Sequence, residues 1–183
     1  MIETTNEIII VDLEATCWEL GNNYQKQQSE IIEIGICKLN TATGKVTASE
    51  GILIKPVNSE ISEFCTRLTS ITPQMIEEQG ISLTEAINIL EERYNSQHLT
   101  WASYGGYDKT MLTEQCIKFG IPYPMSSHHI NVKVLFSEQH RLSKGIGMAR
   151  ALRKLNLPIE GTHHRGVDDA KNIAKILYHL LEA

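Results

Sequence analysis

The chain has 183 residues, 42% of them hydrophobic, and a formal net charge of −5. That length suits one domain, 1–183, which buries roughly 70% of its unfolded surface and needs no disulfide or structural metal to hold together. The acidic balance argues against a protein that coats nucleic acid by bulk charge, but leaves room for an enzyme whose bound cations receive phosphates.

The first residues, Met1 to Glu7, are polar and acidic and lack the charged and apolar regions of a signal peptide. No later apolar run approaches the roughly 20 residues of a membrane span. A cytoplasmic location and no membrane partner are therefore expected. Ile8-Ile-Ile-Val11 is a run of β-branched residues that predicts a central strand buried on both faces. Cys17 to Ser29 is polar, with Gly21 and Asn22-Asn23, and predicts a loop on the side of the candidate site or a wide hairpin. Ile31 to Ile36 predicts a second strand, Thr43-Gly44 a turn, and Gly51 to Pro56 a third strand ended by the proline. Three successive strands imply an antiparallel meander.

Helices follow. Thr72-Pro73 opens one that Gly80 closes. Ser82-x-x-Glu85 is a capping box for a helix to about Asn95, with Leu83, Ala86, Ile87, Leu90 and Tyr94 on its inner stripe. Leu99 to Tyr104 predicts a fourth strand, Tyr107 to Phe119 a helix, and the alternating Ile130 to Leu135 a fifth strand. Gly145 to Leu155 and Gly166 to Leu181 predict the last two helices. The order gives an α/β domain with a five-stranded mixed sheet flanked by helices. The four cysteines, Cys17, Cys37, Cys65 and Cys116, form no C-x-x-C pair, and Cys37 and Cys116 are expected as reduced core residues.

Acidic residues fall at the tips of these elements. Asp12 and Glu14, two apart at the exit of the first strand, share a face. Two such groups after Ile-Ile-Ile-Val would be costly if buried unpaired, and a divalent cation resolves that cost. Asp108 lies on the inward stripe of its helix with Leu112, Cys116 and Phe119. Asp169 shares a face with Ile173, Leu177 and Leu180, while Asp168 points about 100° away. His164 precedes that helix. His163, His128, His129 and His140 read as surface or structural residues, and no spacing supports zinc. Each acid alone has an ordinary explanation: a solvated strand end, or a helix N-terminus favoured by the dipole. Together, hard oxygen donors suit two Mg²⁺ or Mn²⁺ ions, which clamp an in-line attack on phosphorus, with a histidine as general base.

Three segments carry a resemblance: Val11-Asp-Leu-Glu-Ala-Thr-Cys17, Ser103-Tyr-Gly-Gly-Tyr-Asp108 and His164-Arg-Gly-Val-Asp-Asp-Ala170. In this order they resemble the motifs of the DEDDh (DnaQ-like) 3′–5′ exonucleases of the RNase H-like fold, the histidine standing five residues before the last aspartate. Glu14-Ala-Thr-Cys-Trp18, Phe64 to Thr72 and Asn131 to Leu135 are similar to the Eri-like branch. That branch holds histone-mRNA and small-RNA exonucleases and bacterial relatives described as sporulation-pathway inhibitors. The resemblance implies RNA as substrate, metal ligands Asp12, Glu14, Asp108 and Asp169, and catalytic roles for Glu14 and His164. It also implies a terminal-nucleotide pocket of Glu14, Ala15, Phe64, Tyr107, Asp108 and His164, with Phe64 and Tyr107 sandwiching the base and a nucleoside 5′-monophosphate released. Tyr104 stands where the proofreading branch often has asparagine, and Ser70 where the Eri-like branch usually has glycine. Two other readings stay open on sequence alone: a DNA-directed exonuclease of the same fold, and a non-catalytic RNA-binding regulator.

Overall fold

The computed structural model describes residues 6–182; Met1 to Thr5 and Ala183 lie outside the described residues. Strands are β1 (Glu7–Ala15), β2 (Ile31–Asn40), β3 (Val46–Leu53), β4 (Trp101–Ser103) and β5 (His129–Asn131). Helices are α1 (Asn23–Gln27), α2 (Glu63–Thr69), α3 (Pro73–Gln79), α4 (Leu83–Tyr94), α5 (Tyr107–Phe119), α6 (Val132–Gln139), α7 (Met148–Lys154) and α8 (Gly166–Glu182). The sheet order is β3-β2-β1-β4-β5. The first three strands pair antiparallel, as the meander requires, while β1–β4 and β4–β5 are parallel.

The central strand sends alternate side chains to opposite faces. Ile9, Val11 and Leu13 pack with Ile34 and Ile36 under α4 and α5. Ile10 packs with Cys37, Leu39 and Ala102 under α6, α7 and α8. Each fully buried isoleucine contributes about 1.5–3 kcal/mol of transfer free energy, so a strand covered on both faces has a strongly defined register. The capping box forms as predicted: Ser82 Oγ accepts the Glu85 N–H, and the Glu85 carboxylate accepts the Ser82 N–H. All four cysteines are free, with Cys37 and Cys116 buried.

Four departures from the predicted elements have physical reasons. The expected strand Ile130 to Leu135 stops at Asn131, whose side chain accepts the Val134 N–H and caps α6. Val132 and Phe136 are buried, so what looked like strand alternation is the inner face of a short helix. The third strand is Val46–Leu53 rather than Gly51 to Pro56; it is a sheet edge whose first four residues are exposed, so it carries little apolar signal. The seventh helix begins at Met148, after Gly147, rather than at Gly145. Helix α2 went unpredicted. Ser62 caps it by accepting the Cys65 N–H, and Ser70 ends it in the left-handed conformation at φ 62°. Ser70, noted as standing in place of a glycine, thus occupies the position where glycine costs least.

Candidate active site

Strand β1 delivers Asp12 and Glu14 beyond the point where β4 stops pairing with it. The parallel strand β4 then turns through Gly105-Gly106 into α5, whose first turn holds Asp108. The buried Asp108 carboxylate accepts the N–H of Leu13 at 3.0 Å, which ties α5 to the peptide between the two β1 acids. Helix α8 arrives on the face of Asp12 and Glu14. A Cβ on Gly35 would lie 1.8 Å from the Gly166 carbonyl carbon, so α8 rests backbone to backbone on β2. Gly35 pairs with Asp12 in the sheet, and this contact therefore brings Asp169 to the first-strand acids.

Oxygen atoms of Asp12, Glu14 and Asp169 lie within 4.8 Å of one another. With Asp108 they form one wall of a cleft of about 230 Å³. Tyr107, His163 and His164 line it as well, together with Leu13, Tyr104 and Met148. No lysine or arginine is among these lining residues. The sequence expectations for Asp12, Glu14, Asp108, Asp169, Tyr107 and His164 thus meet in one place. Ala15 and Phe64 do not line the cleft; both are half-buried, Phe64 on α2, whose cap residue Ser62 donates to the Cys17 carbonyl.

The electrostatics follow from this crowding. Burial, then Asp108, Glu14 and Asp169, hold the Asp12 carboxyl well above its ordinary range. Burial and the nearby Asp169 and Glu33 push Glu14 up to about 8. Burial raises Asp108 to about 6, against the opposing hydrogen bond from Leu13. Burial and the neighbouring His163 lower His164, and Asp169 partly opposes them. Carboxylates that repel one another, with no lysine or arginine lining the cleft, form a donor set that divalent cations satisfy. Asp12, Glu14, Asp108 and Asp169 fit such ions, and their hard oxygen atoms suit Mg²⁺ or Mn²⁺.

His163 is the main correction to the sequence reading. Its Nδ1 lies 3.0 Å from each Asp169 oxygen, and its ring stacks on His164 at 4.0 Å. It is exposed, as the surface reading expected, but it has a partner in Asp169 that the non-periodic loop before α8 did not reveal. His164 takes φ 65° and donates its N–H to Asp169 at 2.9 Å. Asp168 accepts the Thr162 N–H at 2.9 Å and does not line the cleft, in keeping with its direction away from Asp169. His129 packs at a tilt against Trp101 and shares a hydrogen bond with Ser103, while His140 packs on Phe136, so both are structural. Sequence reasoning missed Glu33 and Arg165. The available signal was an acid inside the apolar run Ile31-Ile32-Glu33-Ile34, which needs a partner if buried.

A five-stranded mixed sheet with four carboxylates converging at the end of its central strand, and histidines on the approach to its last helix, defines an RNase H-like nuclease of the DEDDh kind. The chain belongs to the exonuclease family of RNase T type, whose profile it matches over residues 9–177. It is 28% identical to the 3′-5′ exonuclease Snipper of Drosophila melanogaster, over 93% of this chain and 67% of that protein. It is 31% identical to ERI1 exoribonuclease 3 of Homo sapiens, over 92% of this chain and 52% of that protein. The chain thus spans about two thirds of the first relative's length and about half of the second's. The nuclease domain of 3′hExo, a DEDDh family member bound to rAMP, superposes with a TM-score of 0.83 at 26% identity, covering 98% of this chain and 94% of that one. The family expected from the three sequence motifs is the one found.

Proposed function

We propose that this chain is a metal-dependent 3′–5′ exonuclease, acting as a single domain over residues 1–183, that removes nucleotides from single-stranded RNA ends as nucleoside 5′-monophosphates. The observation that carries the reading is the approach of Asp12, Glu14 and Asp169 to within 4.8 Å, with Asp108 bonded to the peptide between the first two. RNA is favoured by the exoribonuclease relatives and by the rAMP bound to the structural neighbour. Among the described residues no helix is long and apolar enough to cross a membrane, and the cytoplasm is the proposed location.

Asp12, Glu14, Asp108 and Asp169 would hold two divalent cations, Mg²⁺ or Mn²⁺. Bound there, the cations would supply Lewis acidity toward the attacking water and the leaving oxygen. His164, kept neutral by its lowered pKa, accepts the proton of the attacking water at an imidazole nitrogen. The new P–O bond forms on the terminal phosphate, the bond to the preceding O3′ breaks, and that oxygen takes up a proton. Glu14 stands next to the attack site through its place in the cluster. Tyr107, 58% exposed at the cleft wall, offers an aromatic face to the terminal base; Phe64, on α2 outside the cleft lining, would be its partner across that base. Ala15 ends β1, where its carbonyl accepts the Cys65 thiol of α2, and would flank the terminal nucleotide from the strand exit.

End-labelled RNA, DNA and duplexes incubated with Mg²⁺ or Mn²⁺ test the reading. One-nucleotide ladders from the 3′ end of RNA support it. A preference for DNA transfers the substrate but not the chemistry. Full activity in excess chelator, or none with Asp12 and Asp169 intact, overturns it.

A further inference from the structure

We propose that Glu33 is a positioning residue for the candidate metal site: its carboxylate fixes the Arg165–Gly166 start of α8 to β2, and so sets where Asp169 and His164 stand relative to Asp12 and Glu14. The inference rests on the nuclease reading for what the site binds, but not for the attachment itself.

Glu33 is 0% exposed and lies on β2 directly opposite Glu14. Opposed residues of paired strands share a face, so a fifth acid sits beside four others. A buried acid so placed is unfavourable unless it is fully partnered. Its partners all belong to the start of α8. Oε2 accepts the Gly166 N–H at 2.9 Å and Arg165 Nε at 3.2 Å, and Oε1 accepts Arg165 Nη2 at 3.2 Å. The two-pronged guanidinium contact fixes orientation as well as charge. The space for it comes from Gly51, where a Cβ would lie 2.6 Å from Glu33 Oε1.

From Arg165 the constraint runs to the cleft through short bonds. The Arg165 carbonyl accepts the Asp169 N–H at 2.9 Å, and the Asp169 carboxylate accepts the His164 N–H at 2.9 Å. Both Glu33 oxygens are thus spent on α8, and Glu33 does not line the cleft. An acid arranged this way orients ligands rather than serving as one.

Glu33→Gln and Arg165→Lys test this through Mn²⁺ affinity, measured by calorimetry, and amide exchange at Gly166 and Asp169, measured by NMR. Both variants are expected to weaken Mn²⁺ binding by about 10–100-fold, the range for losing a group that orients a metal ligand, and to speed exchange at both amides. The double variant should be no weaker than the weaker single one, because the two residues act as a unit. Arg165→Lys keeps every candidate ligand, so wild-type Mn²⁺ affinity in it overturns the proposal whatever Glu33→Gln does. Should Glu33→Gln fail to fold, Arg165→Lys decides alone. If the wild-type chain binds no Mn²⁺, the nuclease reading fails, and unchanged Gly166 exchange in Arg165→Lys overturns the attachment separately.

Discussion

His163 Nδ1 sits 3.0 Å from both carboxylate oxygens of Asp169, in a symmetric contact on the side of that acid facing the cleft. One oxygen of the same carboxylate belongs to the Asp12–Glu14–Asp169 cluster. In the metal-free chain the imidazole therefore competes for a candidate metal ligand. His163→Ala should tighten Mn²⁺ binding by about threefold or more, since a half-exposed hydrogen bond to a charged group is worth on the order of 1 kcal/mol. Calorimetric titration of both proteins checks this; weaker binding in the variant would make His163 a supporting ligand instead.

His164→Ala should behave differently from its neighbour. The four carboxylates are untouched, so Mn²⁺ affinity should hold, while turnover falls by about 10²–10⁴-fold, the usual range for general-base loss. The base must be neutral to accept a proton. Because burial and His163 lower the His164 pKa, the rising limb of the pH–rate profile at saturating Mn²⁺ should lie below the free-histidine value of about 6.5. A rising limb above that value, or a variant with the wild-type profile, assigns the proton transfer elsewhere.

The stability of the metal-free protein should fall with rising pH. Burial, Asp169 and Glu33 raise Glu14 from 4.5 to about 8, so the folded chain binds its proton more tightly than the unfolded chain does. That contribution is fully present below pH 4.5 and is lost as pH rises through about 8. Asp12 and Asp108 are raised as well and act with the same sign. In excess chelator the melting temperature should drop between about pH 6.5 and 8.5, above the range in which the lowered His129 and His164 act with the opposite sign; Glu14→Gln should flatten the drop, and Mn²⁺ should lift the curve most at the alkaline end. A melting temperature that climbs over this window would show that the acids are not crowded.

Ser70→Gly should stabilise the chain. Ser70 holds φ 62° at the end of α2, and an L-residue with a Cβ is disfavoured there by about 1–2 kcal/mol. Glycine relieves that cost but gives back part of it through the greater freedom of the unfolded chain, leaving about 0.5–1 kcal/mol of net gain. Urea denaturation at a fixed m-value measures it; an unchanged midpoint means that the helix end absorbs the strain another way.

Much of the site could be read in the sequence because its acids sit where local periodicity is strong. The β-branched run before Asp12 places Asp12 and Glu14 at a strand exit, and the apolar stripes of α5 and α8 turn Asp108 and Asp169 inward. Those properties depend only on neighbours along the chain. The contacts between elements were decided by the tertiary structure. Asn131 ended β5 and began α6 because its side chain could cap a helix whose Val132 and Phe136 found a buried surface. His163 gained Asp169, and Glu33 gained Arg165 and Gly166 across 132 and 133 residues, because Gly35 and Gly166 let α8 rest directly on β2. Periodicity records which face of an element is apolar. Which polar groups two such faces bring within hydrogen-bond reach depends on how closely the backbones pack, and only the folded chain fixes that distance.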